Sequence, residues 1–343
     1  CSTFMVKAQD GTVISARTME FGYNVPYTLT AVPKGTKITS PSPEKDKAGL
    51  SWTTAYKYLG VSSFNQDNII ADGMNEAGLA LSGLWFEADT KWPEVKPSEY
   101  KKALAHSMLI TWILGNCKDV ADVKAKLNEV KVFGQYVEEM KMVTPLHFEV
   151  DDAAGNSLVI EAQDGKLNMY DNPVGVITNA PNFPYMLNNL RNFTYFKNSE
   201  APAMTFGSAL LQPTGHGSGM FGLPGDLTPP SRFVRLAVQI HFADPVENQP
   251  ALLNLAQHIA NSVDIVMGMA VDKDDKGNVI SSESTQWTSF RDLTNRVWYY
   301  HTYGNLNLLK IDLKALPLAD GKIKRLPVYG PQEVIADITQ QFE

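Results

Sequence analysis

The hydrophobic pattern of this chain changes its period several times, and that alternation limits the folds it can adopt. Two-residue alternation, typical of strands, dominates the first third and returns over 147–171 and 285–303. Helical spacing replaces it in paired segments, over 98–130 and then over 231–269. Pairs of helices between blocks of strands favour a layered α+β protein with antiparallel sheets over a doubly wound parallel one. We therefore predict an α+β fold.

The element boundaries follow from local signals. Ser98 after Pro97 predicts the start of a helix that runs to about Gly115, and a second helix follows to Val130. The turn signal 75-NEAG-78 between two apolar runs predicts a hairpin. No internal repeat, low-complexity tract or linker interrupts the 343 residues, so we predict a single domain over 1–343.

The overall charge and the apolar segments exclude two classes of partner. A net charge of −7 argues against nucleic acid, whose recognition needs a basic face. The apolar segment Ala103–Gly115 is too short to span a membrane, and Leu252–Val271 is interrupted by polar residues. We predict no nucleic-acid partner and no membrane span.

The chain has two cysteines, too few for a disulfide scaffold or a four-cysteine zinc site. Cys117 lies at a predicted helix end, and we interpret it as a buried thiol. Cys1 differs because its residue also carries the α-amine. Translation starts at Met, so we expect that removal of a preceding segment makes Cys1 the first residue.

A cysteine with a free α-amine can supply both a nucleophile and a base. A thiol has a pKa of about 8.5 and needs help to ionise near neutrality, whereas an α-amine has a pKa of about 7.7–8.0. The amine can take the thiol proton during attack and return it to a leaving amine, so a separate catalytic His is unnecessary. A chain that starts Cys-Ser also suits a lipoprotein anchored through a modified, catalytically silent Cys1. Cys1 alone leaves both interpretations open.

The strand 12-TVISARTMEF-21 contains two candidates for a site around Cys1. In a regular strand Arg17 and Glu20 point to opposite faces. Both can approach Cys1 only if the strand bends or ends near Glu20, which Gly22 allows.

Five segments taken together resemble the choloylglycine hydrolase family, which contains the bile salt hydrolases and penicillin V acylases among the N-terminal nucleophile hydrolases. The resemblance runs from residue 1 to about residue 313. The segments are Cys1 with 16-ARTMEF-21, 71-ADGMNEAGLALSGLWF-86, 175-GVITNAPNFPYMLNNL-190, 222-GLPGDLTPPSRFVRL-236 and 285-TQWTSFRDLTNRVWYY-300.

This resemblance implies a four-layer αββα sandwich that hydrolyses a non-peptide amide C–N bond of a small amphipathic acyl amide, without metal or cofactor. Cys1 would be the nucleophile and its amine the base. Arg17 would lie beside the thiol, where a cation favours thiolate. The side-chain amide of Asn179 and the backbone N–H of Trp85 would form an oxyanion hole. Arg232 would hold the polar network of the site.

Two positions depart from the family pattern. The best-known members have Asp where this chain has Glu20, so the contact near the α-amine shifts by one methylene. Trp85 stands where Gram-positive bile salt hydrolases have Asn, and it resembles the Gram-negative branch, whose members include penicillin V acylases that also cleave acyl-homoserine lactones. We expect penicillin V and acyl-homoserine lactones as substrates, with conjugated bile salts as the alternative. The expected substrate wall consists of Met19, Phe21, Tyr23, Phe64 and the Trp85 side chain.

The family resemblance also implies a homo-oligomer, commonly a homotetramer. Gram-negative relatives often carry a cleaved signal, so we expect a periplasmic location, with the cytoplasm as the alternative.

Two further motifs are discounted. The Gly-rich loop 215-GHGSGMFG-222 lacks the Lys-Ser/Thr ending of a phosphate-binding loop. His147 and Glu149 are two apart on a strand without another nearby His, so we interpret them as a satisfied surface pair rather than metal ligands. We expect no metal site.

Overall fold

The computed structural model describes residues 1–87 and 90–342 and places two large antiparallel sheets between layers of helices. The described strands are β1 Ser2–Lys7, β2 Val13–Phe21, β3 Tyr27–Val32, β4 Lys37–Pro41, β5 Ala48–Thr53, β6 Tyr58–Ser63, β7 Ile70–Asn75, β8 Leu79–Trp85, β9 Ala103–Ala105, β10 Lys131–Phe133, β11 Tyr136–Val137, β12 Met142–Val143, β13 Leu146–Asp152, β14 Ser157–Gln163, β15 Lys166–Asp171, β16 Val176–Ile177, β17 Met204–Phe206, β18 Ala209–Leu211, β19 Ala270–Lys273, β20 Val279–Asp292, β21 Val297–Thr302, β22 Asn305–Asp312 and β23 Lys324–Pro327. The described α-helices are α1 Leu109–Asn116, α2 Val120–Leu127, α3 Phe183–Leu190, α4 Pro229–Phe242 and α5 Gln249–Asn261.

The two sheets have different strand orders. The first runs β16-β1-β2-β20-β21-β22, with β19 paired to β20. The second runs β15-β14-β13-β8-β7-β6-β3-β23. In the first sheet β2 is central and buried on both faces except at its last residue, because helices cover one face and the second sheet covers the other.

The helices pack on the outer faces of the sheets. Helices α4 and α5 contact β1 and β2 of the first sheet, and α1 and α2 contact β7, β8 and β13 of the second. Their apolar residues belong to two clusters, one around the first sheet and one on the outer face of the second. This confirms the predicted four-layer αββα sandwich.

The hairpin predicted at 75-NEAG-78 joins β7 to β8. The side chain of Asn75 accepts hydrogen bonds from the backbone N–H groups of Ala77 and Leu79 at 3.0 and 3.1 Å. Gly78 has φ +86°, and a Cβ atom there would lie 2.5 Å from the carbonyl oxygen of Leu293. Glycine is needed here for both its left-handed backbone and its lack of a side chain.

Two helix predictions were too long. The predicted 98–115 helix begins only at Leu109, because Ala103–Ala105 forms a parallel strand pair with Lys131–Phe133. The helix predicted to reach Met269 ends at Asn261. In both segments buried tertiary contacts, rather than helical spacing, set the boundary.

Polar side chains cross the space between the sheets. Arg291 on β20 forms a buried ion pair with Asp72 on β7, and both side chains are at most 1% exposed. Arg291 also donates to the Ser82 hydroxyl at 2.8 Å, and the Ser289 hydroxyl donates to Asp72 at 2.6 Å. The interior therefore contains a hydrogen-bonded charge pair that joins the sheets as well as apolar contacts.

We predict that Arg291→Met lowers the free energy of unfolding by about 3–5 kcal/mol, because it leaves the Asp72 carboxylate buried without its partner. Urea denaturation followed by circular dichroism measures the change. The matched control is Arg325→Met, which breaks the surface pair with Asp67; the Arg325 side chain is 52% exposed, so its loss costs at most about 1 kcal/mol. Equal stability of the two variants would contradict the prediction.

Candidate active site

Cys1 lies at the start of β1, beside the end of the central strand β2. The register pairs Ser2 with Thr18, which brings Cys1 next to Met19. The Cys1 sulfur lies 3.7 Å from Met19 Sδ and 3.4 Å from Arg17 Nη2. Cys1 is only 8% exposed, so its thiol is held inside the sandwich.

Arg17 is fully buried, and the second sheet fixes its guanidinium. It donates hydrogen bonds to the carbonyl oxygen of Ala71 and, at 2.7 Å, to that of Gly83. Its charge also lies 5.2 Å from the centre of the Trp287 ring. Among the described residues, no ion pair joins Arg17 to a carboxylate. A guanidinium so placed favours the thiolate form of Cys1, which would be its counter-charge.

The α-amine of Cys1 is held by two side chains. It lies 3.0 Å from Glu20 Oε2 and donates to Asn179 Oδ1 at 3.2 Å. Burial lowers the pKa of this amine to about 6; Glu20 opposes the shift and Arg232 adds to it. The amine is therefore largely unprotonated at neutral pH and can accept a proton.

A register shift in the sheet brings Glu20 to the same site as Arg17. The pairing of β2 with β20 changes between Met19 and Glu20, with Gln286 as the extra residue. Glu20 Oε1 accepts a hydrogen bond from the Thr285 hydroxyl at 2.7 Å. Burial raises the pKa of Glu20, but the α-amine and Arg232 outweigh burial and lower it. The strand thus departs from regularity between Met19 and Glu20, before it reaches Gly22.

Gly22 has a different role from the one expected. A Cβ atom at this position would lie 2.9 Å from Cβ of Ser281. The Gly22 carbonyl also accepts a hydrogen bond from the Ser282 N–H at 2.9 Å. Glycine here lets β20 approach the end of β2 closely.

Asn179 and Arg232 connect the Cys1 backbone to the rest of the site. Arg232, in the first turn of α4, donates to the Cys1 carbonyl oxygen at 2.5 Å, the Ser2 hydroxyl at 2.7 Å and Asn179 Oδ1 at 2.7 Å. Asn179 Nδ2 donates to the Trp85 carbonyl oxygen at 2.8 Å. An amide nitrogen has two N–H groups, so the second is available to a ligand.

The backbone of Trp85 faces the same edge. The backbone N–H of Phe86 donates a hydrogen bond to the carbonyl oxygen of Pro145, just before β13, at 2.8 Å. In an antiparallel ladder the backbone N–H and C=O of the neighbouring residue, Trp85, therefore point away from β13. The β7–β8 pairing ends at Ser82. The Trp85 carbonyl oxygen contacts Asn179, and in an extended strand the N–H of a residue points to the same side as its carbonyl. The predicted oxyanion donors thus lie on one edge; their role stays a prediction.

Two cavities meet at Cys1. The first is an apolar pocket with a cavity volume of about 100 Å³; the second is a polar cleft of about 430 Å³. Four of the five expected wall residues line the apolar pocket: Met19, Phe21, Phe64 and Trp85. The fifth, Tyr23, lines the polar cleft and packs edge-to-face on Phe21 with ring centres 4.8 Å apart.

Sequence reasoning missed the other walls of the apolar pocket, although Val25 and Tyr27 lie close to Tyr23 in the chain. No local motif identifies them, and only their apolar character was readable. These residues include Val25, Tyr27, Ile69, Ile70, Val137, Met140, Leu146 and Phe148.

The prediction of a surface pair at His147 and Glu149 was wrong in its location. Both side chains are buried, because β13 is central in the second sheet. His147 contacts Glu161 at 3.1 Å and the Thr178 carbonyl oxygen at 2.9 Å. Glu149 Oε1 accepts a hydrogen bond from Asn172 Nδ2 at 3.1 Å, so both side chains have polar partners within the interior. Over residues 1–87 and 90–342, no three His, Cys, Asp or Glu side chains are grouped to hold a metal ion.

Comparisons with known proteins agree with this geometry. Residues 1–326 match the model of the linear amide C–N hydrolases, choloylglycine hydrolase family. A bile salt hydrolase/transferase of Clostridium perfringens (strain 13 / Type A) is 31% identical over 327 residues, which cover 94% of this chain and 95% of the relative. A penicillin V acylase of Pectobacterium atrosepticum is 25% identical over 324 residues, covering 89% and 78%.

A solved structure gives the same result for the fold. A conjugated bile acid hydrolase variant from Clostridium perfringens superposes with a TM-score of 0.85 at 29% identity, over 99% of this chain and 100% of that one. The fold is that of the N-terminal nucleophile hydrolases. The chain belongs to the choloylglycine hydrolase family and is a hydrolase of linear amide C–N bonds. None of the helices in the described chain is long and apolar enough to cross a membrane.

We predict that iodoacetamide at neutral pH labels Cys1 and leaves Cys117 unmodified. Cys1 lines a cavity beside a cation, whereas Cys117 is fully buried and its pKa is raised to about 12, chiefly by burial. Peptide mapping by mass spectrometry identifies the labelled residue. As a control, both thiols should react in denaturant; rapid labelling of Cys117 in the folded protein would contradict the prediction.

Proposed function

We propose that this protein hydrolyses a small amphipathic acyl amide with Cys1 as nucleophile and the Cys1 α-amine as base. One observation carries the proposal: the thiol beside Arg17, the buried amine and the edge formed by Asn179 and Trp85 converge where an apolar pocket meets a polar cleft. Membership of an amide hydrolase family supports it.

The first half of the reaction forms a thioester. The α-amine takes the thiol proton while the sulfur attacks the carbonyl carbon, and the carbonyl electron pair moves to oxygen. The second N–H of Asn179 and the Trp85 N–H stabilise that oxyanion. The C–N bond then breaks as the α-amine returns the proton to the leaving nitrogen.

The second half releases the acid. Water attacks the thioester, the α-amine accepts a proton from that water, and the C–S bond breaks as the sulfur departs. Arg17 stabilises the departing thiolate through its 3.4 Å contact. Glu20 and Asn179 hold the amine in place through both halves.

The aromatic wall of the apolar pocket favours an apolar or aromatic acyl group. Its cavity volume is about 100 Å³, and its wall carries the Trp85 and Phe21 rings with centres 5.9 Å apart. An aromatic wall suits the phenoxyacetyl group of penicillin V, and an apolar lining suits the acyl chain of an acyl-homoserine lactone. We propose these as the first substrates to test, in keeping with the predicted Gram-negative branch.

Hydrolysis of conjugated bile salts is the second candidate. The observation in its favour is the 31% identity with the bile salt hydrolase/transferase of Clostridium perfringens over nearly the whole chain. Its acyl half is also apolar and would use the same pocket. The two candidates differ in substrate and share the mechanism.

The position of Cys1 disfavours the lipid-anchor alternative. An anchor on the thiol would have to leave the sandwich past Arg17 and Met19, since Cys1 is 8% exposed. Intact mass of the mature protein distinguishes the two: an unmodified Cys1 supports catalysis, and a diacylglyceryl adduct opposes it. The homotetramer and the periplasmic location stay predictions from the family resemblance.

We predict that Cys1→Ser lowers kcat by at least about two orders of magnitude, because a hydroxyl is a far weaker nucleophile than a thiolate in this site. The assay is a panel of penicillin V, glycine- and taurine-conjugated bile salts and acyl-homoserine lactones of several lengths. The control is Cys117→Ser, which should retain activity. Full activity of Cys1→Ser would refute the nucleophile assignment.

We predict that kcat/KM rises as the pH rises through about 6, since only the unprotonated α-amine can accept the thiol proton. Glu20 raises the pKa of this amine, so Glu20→Gln should move the limb of the profile to lower pH. Glu129→Gln, an exposed residue just after α2, is the matched control and should leave the limb unchanged. If Glu20→Gln does not move this limb of the pH profile, the α-amine is not the base.

A further inference from the structure

The polar cleft beside Cys1 is lined with acidic residues. We propose that it selects amides whose amine half is neutral or positively charged over those whose amine half carries a carboxylate or sulfonate. This inference rests on the proposed function and adds the charge of the leaving group to it.

The reaction geometry assigns the amine half to this cleft. The α-amine of Cys1 must deliver a proton to the leaving nitrogen, so that nitrogen has to lie on the amine side of the residue. The partners of the α-amine, Glu20 and Asn179, both line the polar cleft. The apolar pocket lies on the sulfur side, with Arg17 and Met19, and takes the acyl half.

The charges on the described lining of this cleft are unbalanced. Four carboxylates face one guanidinium, that of Arg232, and the α-amine is largely neutral at pH 7 because burial lowers its pKa to about 6. The four acids are Glu20, Glu87, Asp272 and Glu283.

The single guanidinium of the described lining is already engaged by the protein. Arg232 donates to the carbonyl oxygens of Leu227 and Cys1, to the Ser2 hydroxyl and to Asn179. It is only 4% exposed, so it offers little to the carboxylate of a substrate. Its charge offsets that of the buried Glu20, which leaves three exposed acids facing a ligand.

Strand packing places these acids in the same cleft as Cys1. Asp272 and Glu283 belong to the β19–β20 hairpin, whose Ser281 packs against Gly22 at the end of β2. The Ser281 hydroxyl donates to Asp272 and holds its carboxylate along the cleft. Glu283 raises the pKa of both the α-amine and Arg232, so its charge reaches the site.

The expected size of the effect follows from the exposure of these acids. An exposed charge pair several ångströms apart interacts by a fraction of a kcal/mol, so three together change kcat/KM on the order of tenfold at low ionic strength. The acylated amine half of a homoserine lactone is neutral, whereas those of penicillin V, glycine conjugates and taurine conjugates are anionic. Among the candidate substrates the cleft therefore favours the lactones.

The test uses one acyl group on three amines. Phenoxyacetyl amides of glycine, glycinamide and ethylenediamine present an anionic, a neutral and a cationic amine half of similar size. We expect kcat/KM to rise in that order, with the range on the order of tenfold at low salt and much smaller at about 0.5 M NaCl. Equal or higher kcat/KM for the glycine amide would overturn the inference. Failure to cleave the three amides and every substrate of the panel above would refute the proposed function, and the inference with it.

Variants assign the effect to the cleft. The triple variant Glu87→Gln, Asp272→Asn, Glu283→Gln should raise the ratio of kcat/KM for the glycine amide to kcat/KM for the glycinamide amide about tenfold. Glu87→Gln alone should give about a twofold rise, which keeps the test valid if the hairpin variants fold poorly. The control Glu129→Gln removes one surface charge elsewhere and should not change the order. An unchanged ratio of these two kcat/KM values in both cleft variants would contradict the proposal.

Discussion

The structure depends on a buried cation that joins the two sheets at the candidate nucleophile. Arg17 extends from the central strand of the first sheet, donates to carbonyl oxygens of β7 and β8 in the second, and places Nη2 3.4 Å from the Cys1 sulfur. Burying a guanidinium without a carboxylate partner is costly, and hydrogen bonds alone offset only part of the cost. A thiolate on Cys1 would supply the missing negative charge. The cation that bridges the two sheets therefore also prepares the sulfur for attack.

The α-amine of Cys1 is controlled separately from the thiol. Burial and Arg232 lower its pKa, and Glu20 limits the shift while holding the group in place. Sulfur and nitrogen of one residue thus lie in different surroundings, one beside an apolar pocket and the other beside an acidic cleft. This division gives the two halves of an amide opposite environments.

Local patterns predicted strands in the first third and over 147–171 and 285–303, and most of the described α-helices, because two-residue and helical periodicity survive wherever one face of an element is buried. They failed at Ala103–Ala105, where pairing with Lys131–Phe133 interrupts the expected helix. They also placed His147 at the surface, since a polar residue on a strand usually faces water. A strand covered on both faces breaks that rule, and its polar side chains find partners inside.

By itself the sequence determined the α+β class, the pairing of thiol and amine on Cys1, and, through family resemblance, the other candidate residues. Only the tertiary structure decided how they meet. A shifted register between β2 and β20 turns Glu20 to the α-amine, and the start of α4 brings Arg232 to the Cys1 carbonyl. The acidic cleft was likewise invisible in the sequence, because its carboxylates come from segments more than 200 residues apart and strand packing at Gly22 brings the β19–β20 hairpin to Cys1. The interaction between two charges depends on their separation in space and not on their separation along the chain.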